Sequence, residues 1–205
     1  MSIVAIVSLK GGVGKTTSAM HLAAVAQAAR MKPVVLDCDS ESSAHRWAAR
    51  AGEGMGFEVH LANRDKIAVQ LRELEAGGRV VIVDTPPNNR EIIARVGQLA
   101  NVVIVPVNPT GLDVDRLQPT LELLADLEAA RGELAAYILL SKFNPQRRLD
   151  REAEEALVGF PVLKQRIRGL QAYAEAFGGM PTYLDEYKAV WKEVRGDLEP
   201  VRKAA

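Results

Sequence analysis

The chain has 205 residues, of which 48% are hydrophobic and 25% charged, and its 26 basic and 26 acidic side chains give a formal net charge of zero. These proportions are average for a folded globular protein, and they exclude a disordered tail, a collagen-like rod and a strongly basic nucleic-acid-binding protein. Because there is no overall charge, binding to DNA or to an anionic membrane would need a local basic patch. The length predicts one domain, residues 1–205, with a core that needs no disulfide or metal.

Cysteine content and hydropathy limit the compartment in which the protein works. The single cysteine, Cys38, cannot form an internal disulfide, and one thiolate cannot hold a metal cluster within one chain. Residues 1–7 lack the basic start and the long apolar stretch of a secretory signal. The longest aliphatic runs, such as residues 102–107, are far shorter than the roughly 20 residues that cross a bilayer. We therefore expect a cytoplasmic protein.

Short aliphatic runs alternate with helical patterns along the chain. The predicted strands are residues 3–8, 34–37, 57–60, 79–84, 102–107, 135–141 and 161–167. The predicted helices are residues 15–30, 66–76, 90–100, 112–130, 170–177 and 183–198. This alternation predicts an α/β fold, a doubly wound and mainly parallel sheet with helices on both faces. The C-terminal helices, about residues 170–203, are expected to pack on that sheet.

The segment between the first predicted strand and the first predicted helix reads SLKGGVGKTT, residues 8–17. A phosphate chain requires backbone N–H donors that approach closely, a cation and a helix N-terminus directed at it. The glycines leave the backbone open, Lys15 supplies a charge for the β- and γ-phosphates, and the Thr16 hydroxyl can ligate Mg²⁺. The usual pattern has a glycine where Leu9 stands, and a second lysine, Lys10, precedes the glycines here. The segment predicts a nucleoside triphosphate site.

Residues 10–17, KGGVGKTT, resemble the deviant phosphate-loop signature of the ParA/MinD family of ATPases. The resemblance continues in chain order through residues 34–44, 80–87, 102–114 and 161–184 and is closest to short ParA-type partition ATPases without an N-terminal helix-turn-helix. It implies an ATP hydrolase that forms a homodimer when ATP is bound. The residues expected to contact the nucleotide are Lys10, Gly11, Gly12, Val13, Gly14, Lys15, Thr16 and Thr17.

Three acids lie at the ends of predicted strands, at the carboxyl edge of the sheet, where ligands of open α/β sheets bind. We expect Asp84 to hold Mg²⁺ opposite Thr16, the alternative being a cap on the next helix. Strand alternation places Asp37 and Asp39 on one side, and two carboxylates beside a triphosphate are costly without Mg²⁺. By resemblance, Asp39 orients the attacking water and Asp37 lies near the metal. The family's Pro-Gln after this aspartate is replaced by Ser40-Glu41, which puts the coupling of the switch loop in doubt.

Two further expectations concern nucleotide recognition. The family uses the lysine at the position of Lys10 in trans, so each Lys10 would reach the phosphates bound to the partner subunit, and an additional cation at the developing charge can be worth about 10³–10⁵ in rate. The alternative is a loop lysine that stays within its own chain. We expect Asn144 and Pro109 to line the adenine pocket, although Asn144 could also be a turn residue before Pro145.

Basic residues gather modestly between residues 142 and 168. Family members bind DNA through basic residues in their C-terminal half, and non-specific binding requires only contacts to phosphates. The candidate DNA contacts are Arg147, Arg148, Lys164, Arg166 and Arg168. A solvated helix face explains these charges equally well. With the resemblance, they lead us to expect a nucleoid-associated protein whose hydrolysis is stimulated by a ParB-like partner.

Alternative functions are a P-loop metabolic enzyme acting on a small carboxylic acid, a metallocluster carrier and a MinD-like membrane-associated regulator of the division site. The carrier would need two cysteines in each subunit. For the membrane alternative, apolar residues at helical spacing from Tyr187 to Leu198 could form a surface helix. Acids offset the basic residues in this segment, so we favour a helix docked on the core and expect no membrane partner.

Overall fold

The computed structural model describes residues 2–198, which form one seven-stranded sheet with helices on both faces. The strands are β1 (Ser2–Ile6), β2 (Pro33–Asp37), β3 (Glu58–Leu61), β4 (Val80–Asp84), β5 (Val102–Val107), β6 (Ala135–Phe143) and β7 (Ile167–Arg168). Their order across the sheet is β3-β2-β4-β1-β5-β6-β7, and every pairing is parallel. The predicted doubly wound α/β fold is confirmed.

Nine α-helices connect or flank these strands within the described residues. They are α1 (Lys15–Ala28), α2 (Ser43–Ala51), α3 (Ile67–Ala76), α4 (Arg90–Gly97), α5 (Gly111–Asp115), α6 (Gln118–Arg131), α7 (Arg148–Glu155), α8 (Gln171–Glu175) and α9 (Asp185–Leu198). Short 3₁₀ helices occupy Gly52–Met55 and Arg64–Lys66. Of the predicted C-terminal helical region, residues 199–203 lie outside the described residues.

The sheet separates two hydrophobic cores because successive side chains of a strand point to opposite faces. In β1, Val4 and Ile6 join the core beneath α1, α2, α8 and α9. Ile3 and Ala5 join the opposite core beneath α3, α4 and α6. Strands covered on both faces must be apolar throughout, which explains why they could be recognised in the sequence.

Several predicted elements differ from the observed ones. The single helix predicted over 112–130 is two helices, because Pro119 in the first turn of α6 has no N–H with which to continue α5. The strand predicted over 161–167 is reduced to the two residues of β7 and an isolated bridge between Ile138 and Val162. Helices α2 and α7 were not predicted, since each is short and buries only two residues.

Candidate functional site

Strand order brings the carboxyl ends of β2, β4 and β1 together at one edge of the sheet. Asp84 at the end of β4 is the register partner of Ile6 in β1 and of Asp37 in β2. The phosphate loop follows β1, so it begins beside both acids. The Thr85 hydroxyl donates a hydrogen bond of 2.8 Å to the Ile6 carbonyl and fixes the end of β4 against β1. The predicted meeting of the loop with these strand ends is observed.

The phosphate loop folds around glycines that adopt left-handed backbone conformations. Gly12 has a φ of 75° and Gly14 a φ of 96°, which a residue with a Cβ adopts only at a cost. Helix α1 begins immediately after Gly14, so its free N–H groups face the loop. A cavity of about 330 Å³, here called the phosphate cavity, is lined by Gly11, Gly12, Gly14, Lys15, Thr16, Thr17, Asp39, Glu41, Ser43, Pro87 and Lys142. Val13 is buried outside this lining.

Lys15 is held inside the loop. Its Nζ donates a hydrogen bond of 2.9 Å to the Lys10 carbonyl, so the loop curves around the ammonium group. Burial lowers the pKa of Lys15, and the nearby carboxylates of Asp84 and Asp39 act in the opposite direction. The Lys15 ammonium is thus only partly compensated by acids, which suits it to an anionic ligand.

Thr16 and Asp84 form a pair of oxygen ligands beside Lys15. The Thr16 hydroxyl donates to Asp84 Oδ2 at 2.7 Å, whereas Asp84 Oδ1 is buried without a hydrogen-bond partner among the described residues. Burial raises the pKa of Asp84 to about 7. A hydroxyl and a carboxylate with one free oxygen are ligands of the kind that Mg²⁺ prefers. The residues therefore fit the predicted magnesium site.

The two acids around Cys38 have different surroundings. Both oxygens of Asp37 accept backbone hydrogen bonds of 3.0 Å, one from Asp39 and one from His45 at the start of α2. Asp37 is buried and does not line the phosphate cavity, whereas Asp39 does. The expectation that both carboxylates face the ligand is not what the structure shows, because β2 ends at Asp37 and strand alternation no longer applies beyond it.

The switch loop after Asp39 brings a second acid to the phosphate cavity. Asp39 Oδ1 accepts a hydrogen bond of 3.0 Å from the Glu41 backbone, and Ser42 has a φ of 51°, so the chain turns sharply here. The turn places Glu41 and Ser43 in the cavity lining. In the sequence, Glu41 is visible only as a departure from the family pattern, and neither Glu41 nor Lys142 was predicted to lie at the site.

Lys10 forms an ion pair with Asp113 of α5. Asp113 is buried, whereas the Lys10 side chain is about one-third exposed, at 29%. In the single chain, Lys10 therefore adopts the intramolecular arrangement that sequence analysis left open. No sequence pattern singled out Asp113, since it lies more than a hundred residues from its partner.

Two cavities lie on the β6 side of the phosphate loop. One, of about 450 Å³, is lined by residues 142–147 and 168–170 and includes Asn144; the other, of about 410 Å³, reaches from Gly14 to Tyr187. Asn144 also accepts a hydrogen bond of 3.0 Å from the Gln146 backbone, so it shapes the turn and lines the cavity. Pro109 is buried after β5 and lines neither of these cavities.

The predicted DNA contacts do not form a patch of free cations. Arg148 pairs with Glu152 at 2.8 Å, and Arg166 and Arg168 pair with Glu154 and Glu186. Arg147 lines the cavity that contains Asn144. The backbone of Lys164 donates to Glu193 at 2.7 Å, which places another acid beside this residue. Much of the local basic excess is therefore compensated within the chain.

Helix α9 packs on α1 and buries its apolar side. The five residues at helical spacing, Tyr187, Val190, Trp191, Val194 and Leu198, are all buried in the core beneath α1. This confirms the prediction of a docked helix. In the part of the chain that the structure describes, no helix is long and apolar enough to span a membrane.

The fold and the site define a nucleotide-binding protein of the P-loop class. Residues 4–179 match the family model of the CobQ/CobB/MinD/ParA nucleotide binding domain, and the chain belongs to this family. The predicted ParA/MinD membership is thereby confirmed. The family's P-loop ATPase fold supports ATP hydrolysis as the activity at the level of the family.

Comparison with individual proteins gives two relatives and one solved structure with the same fold. The chain is 34% identical over 178 residues to the maintenance of carboxysome distribution protein A of Gloeobacter kilaueensis, covering 85% of this chain and 80% of that protein. It is 31% identical over 142 residues to the protein ParA of Rhizobium radiobacter, covering 68% and 64% of the two chains. The structure of apo McdA from Cyanothece has the same fold, with a TM-score of 0.76 at 18% identity over 97% of this chain and all of that one.

Proposed function

We propose that the protein is a Mg²⁺-dependent ATPase that dimerises when it binds ATP, binds DNA without sequence preference and positions or partitions a cargo. The observation that carries this proposal is the phosphate loop, whose Thr16 meets Asp84 beside Lys15 at one sheet edge. Kinship to a carboxysome-distribution protein and to ParA supports the cargo role.

The loop residues would bind the phosphate chain. The loop residues that line the phosphate cavity are Gly11, Gly12, Gly14, Lys15, Thr16 and Thr17, and their backbone N–H groups and the Lys15 ammonium would bind the β- and γ-phosphates. Thr16 and Asp84 would hold Mg²⁺, which when bound neutralises charge on the phosphates. The base would lie in the cavities on the β6 side, where Asn144 lines the wall.

Asp39 would orient the attacking water. It lines the phosphate cavity, and its Oδ1 is fixed by the Glu41 backbone, so the carboxylate is held in a defined direction. Asp37 supports this arrangement, because its two backbone hydrogen bonds fix Asp39 and the start of α2. A metal-proximal role for Asp37, as the resemblance implies, stays a prediction.

Dimerisation would supply Lys10 to the phosphates bound by the partner subunit. For this to happen, Lys10 must leave Asp113, whose buried carboxylate would then need another partner. The proposed dimer would depend on ATP because Lys10 would exchange its ion pair with Asp113 for contacts to the nucleotide of the partner subunit. The proposed dimer would bind nucleoid DNA, and a ParB-like or adaptor partner would stimulate hydrolysis and release.

The test separates ATP binding from hydrolysis with Asp39→Ala. We expect the variant to bind Mg²⁺·ATP within about twofold of wild type, to hydrolyse it about 10²-fold or more slowly, and to accumulate as a dimer in ATP but not in ADP. Calorimetry, phosphate release and light scattering after size exclusion measure these three properties. Asp126→Ala on the exposed face of α6 is the matched control. Hydrolysis at the wild-type rate by Asp39→Ala would contradict the assignment.

A further inference from the structure

Strand β6 contains an irregularity next to the phosphate loop. Ser141 is paired with Ile167 and Phe143 with Arg168, so β6 advances two residues while β7 advances one. Lys142 is the additional residue, and its φ of 58° lies in the left-handed region. A lysine rarely adopts this conformation inside a strand, and such strain is concentrated at functional sites. Bulges beside active sites redirect a side chain.

The bulge directs Lys142 at the phosphate loop. Its Nζ donates a hydrogen bond of 3.0 Å to the carbonyl of Gly12, which is 130 residues away in sequence. The backbone of Gly169 packs closely on the other side, since a Cβ there would lie 3.6 Å from the Lys142 Cα. Lys142 is therefore held between the loop that follows β7 and the glycines that precede α1.

Lys142 lies between the phosphate cavity and the two cavities on the β6 side, which together form the candidate nucleotide cleft. It lines the phosphate cavity and both cavities on the β6 side. Among residues 2–198, its ammonium has one hydrogen-bond acceptor, the Gly12 carbonyl, and no carboxylate partner. An ammonium group has three donors, so two remain available to a ligand in the cleft.

We propose that Lys142 is an additional phosphate-binding residue, whose ammonium contacts the end of the phosphate chain nearer the base. This inference rests on the proposed binding of ATP. Lys15 lies within the loop, whereas Lys142 approaches from β6. A contact near the base is common to ADP and ATP, so Lys142 contributes equally to the affinity for both nucleotides.

The experiment measures binding of ADP and ATP, each with Mg²⁺, over a range of salt concentrations. Lys142→Met is expected to weaken both nucleotides by about tenfold, the effect of one charged hydrogen bond, and to make affinity less dependent on salt. Lys142→Arg is expected to restore most of the affinity. Lys32→Met removes the same charge from the exposed opposite end of the sheet and should leave binding unchanged.

Lys142→Gly separates a phosphate contact from a structural role. Glycine accepts the left-handed backbone without strain, so this variant should keep the wild-type melting temperature and still lose about tenfold in ADP affinity. Binding of ADP and ATP by Lys142→Met with wild-type affinity would overturn this inference and leave the proposed function standing. So would a loss of affinity with unchanged salt dependence and a lowered melting temperature. A wild-type protein that binds neither nucleotide would overturn the proposed function and this inference together.

Discussion

Three lysines lie in or beside the phosphate loop, and their side chains take different directions. Lys15 follows from local sequence, because the glycines before it and the helix after it leave its ammonium only the loop interior. Lys10 turns away to Asp113 of α5. Lys142 arrives from β6 because a bulge redirects it. Only the place of the Lys15 side chain within the loop could therefore be predicted from the sequence, since the other two side chains depend on contacts between distant segments.

The role of Lys15 can be tested directly. Lys15→Ala should abolish measurable binding of Mg²⁺·ATP, because it removes the buried cation of the phosphate cavity at the helix N-terminus. Calorimetric titration of the folded variant is the measurement, with circular dichroism to verify folding. Lys32→Ala is the matched control. Binding of ATP by Lys15→Ala with wild-type affinity would show that the phosphate-loop assignment is wrong.

At the scale of elements, α1 is covered on most sides. One side packs on the sheet, and another contacts α2 and α9. His21 on this helix lies in an aromatic cluster, stacked on Tyr187 and edge-on to Tyr173 and Trp47. Its Nδ1 is 2.8 Å from the Thr17 carbonyl, and its Nε2 is buried without a partner in the described chain. His21 therefore helps to fix the helix that starts at the phosphate loop. The imidazole is expected to be neutral there, because a second proton on Nε2 would be buried without an acceptor among the described residues.

Burial lowers the pKa of His21 to about 4, and the hydrogen bond to Thr17 opposes this shift only partly. The folded protein thus binds fewer protons than the unfolded chain between pH 6.5 and 4. The contribution of neutral His21 to the free energy of unfolding is therefore fully present above pH 6.5. Up to about 3 kcal/mol of this free energy is lost as the pH falls towards 4. His21→Phe should remove this part of the loss, as measured by urea unfolding at pH 7, 5.5 and 4.5. His45→Gln, the control, should show the same loss as wild type. If the free energy of unfolding fell equally with pH in wild type and in His21→Phe, the loss would not be due to His21.

At the scale of the whole molecule, the zero net charge is accompanied by extensive pairing within the chain. The acids Glu152, Glu154 and Glu186 each pair with an arginine that sequence analysis assigned to DNA. Within residues 2–198, a monomer therefore offers fewer unpaired cations at the candidate DNA contacts than the sequence indicates. Two copies in a dimer would double them, which is why the proposed DNA binding depends on ATP.

DNA binding should accordingly be independent of sequence, stronger with ATP than with ADP, and sensitive to salt. Arg148→Glu combined with Lys164→Glu should weaken it and reduce the slope of log affinity against log salt by about one for each DNA phosphate that is no longer neutralised. Neither residue lines the cavities described above, so ATP binding should persist. The measurement is a salt titration with two unrelated duplexes in each nucleotide.

Lys66→Glu combined with Arg72→Glu, which makes the same charge change at exposed positions near and on α3, is the control. Equal DNA affinity in ATP and ADP would reject the switch. Absence of binding at low salt would favour a P-loop metabolic enzyme over a positioning ATPase.

The sequence by itself determined the parallel sheet and the phosphate loop, since both depend on short-range patterns. Strands buried on both faces are continuously apolar, and a loop that needs positive φ next to a helix requires glycines at fixed positions. Helices α2 and α7 have only nine and eight residues and bury two residues each, which is too short for a helical period to stand out in the sequence. The break between α5 and α6 follows from Pro119 within an otherwise helical pattern.

Only the tertiary structure decided whether Asp37 or Asp39 lines the phosphate cavity and where the other lysines lie. The chain leaves strand geometry after Asp37, so the direction of Asp39 is set by backbone hydrogen bonds of the turn. The partners of Lys10 and Lys142 lie more than a hundred residues away. Such pairings result from strand order and a bulge, which bring distant segments together without leaving a local pattern in the sequence.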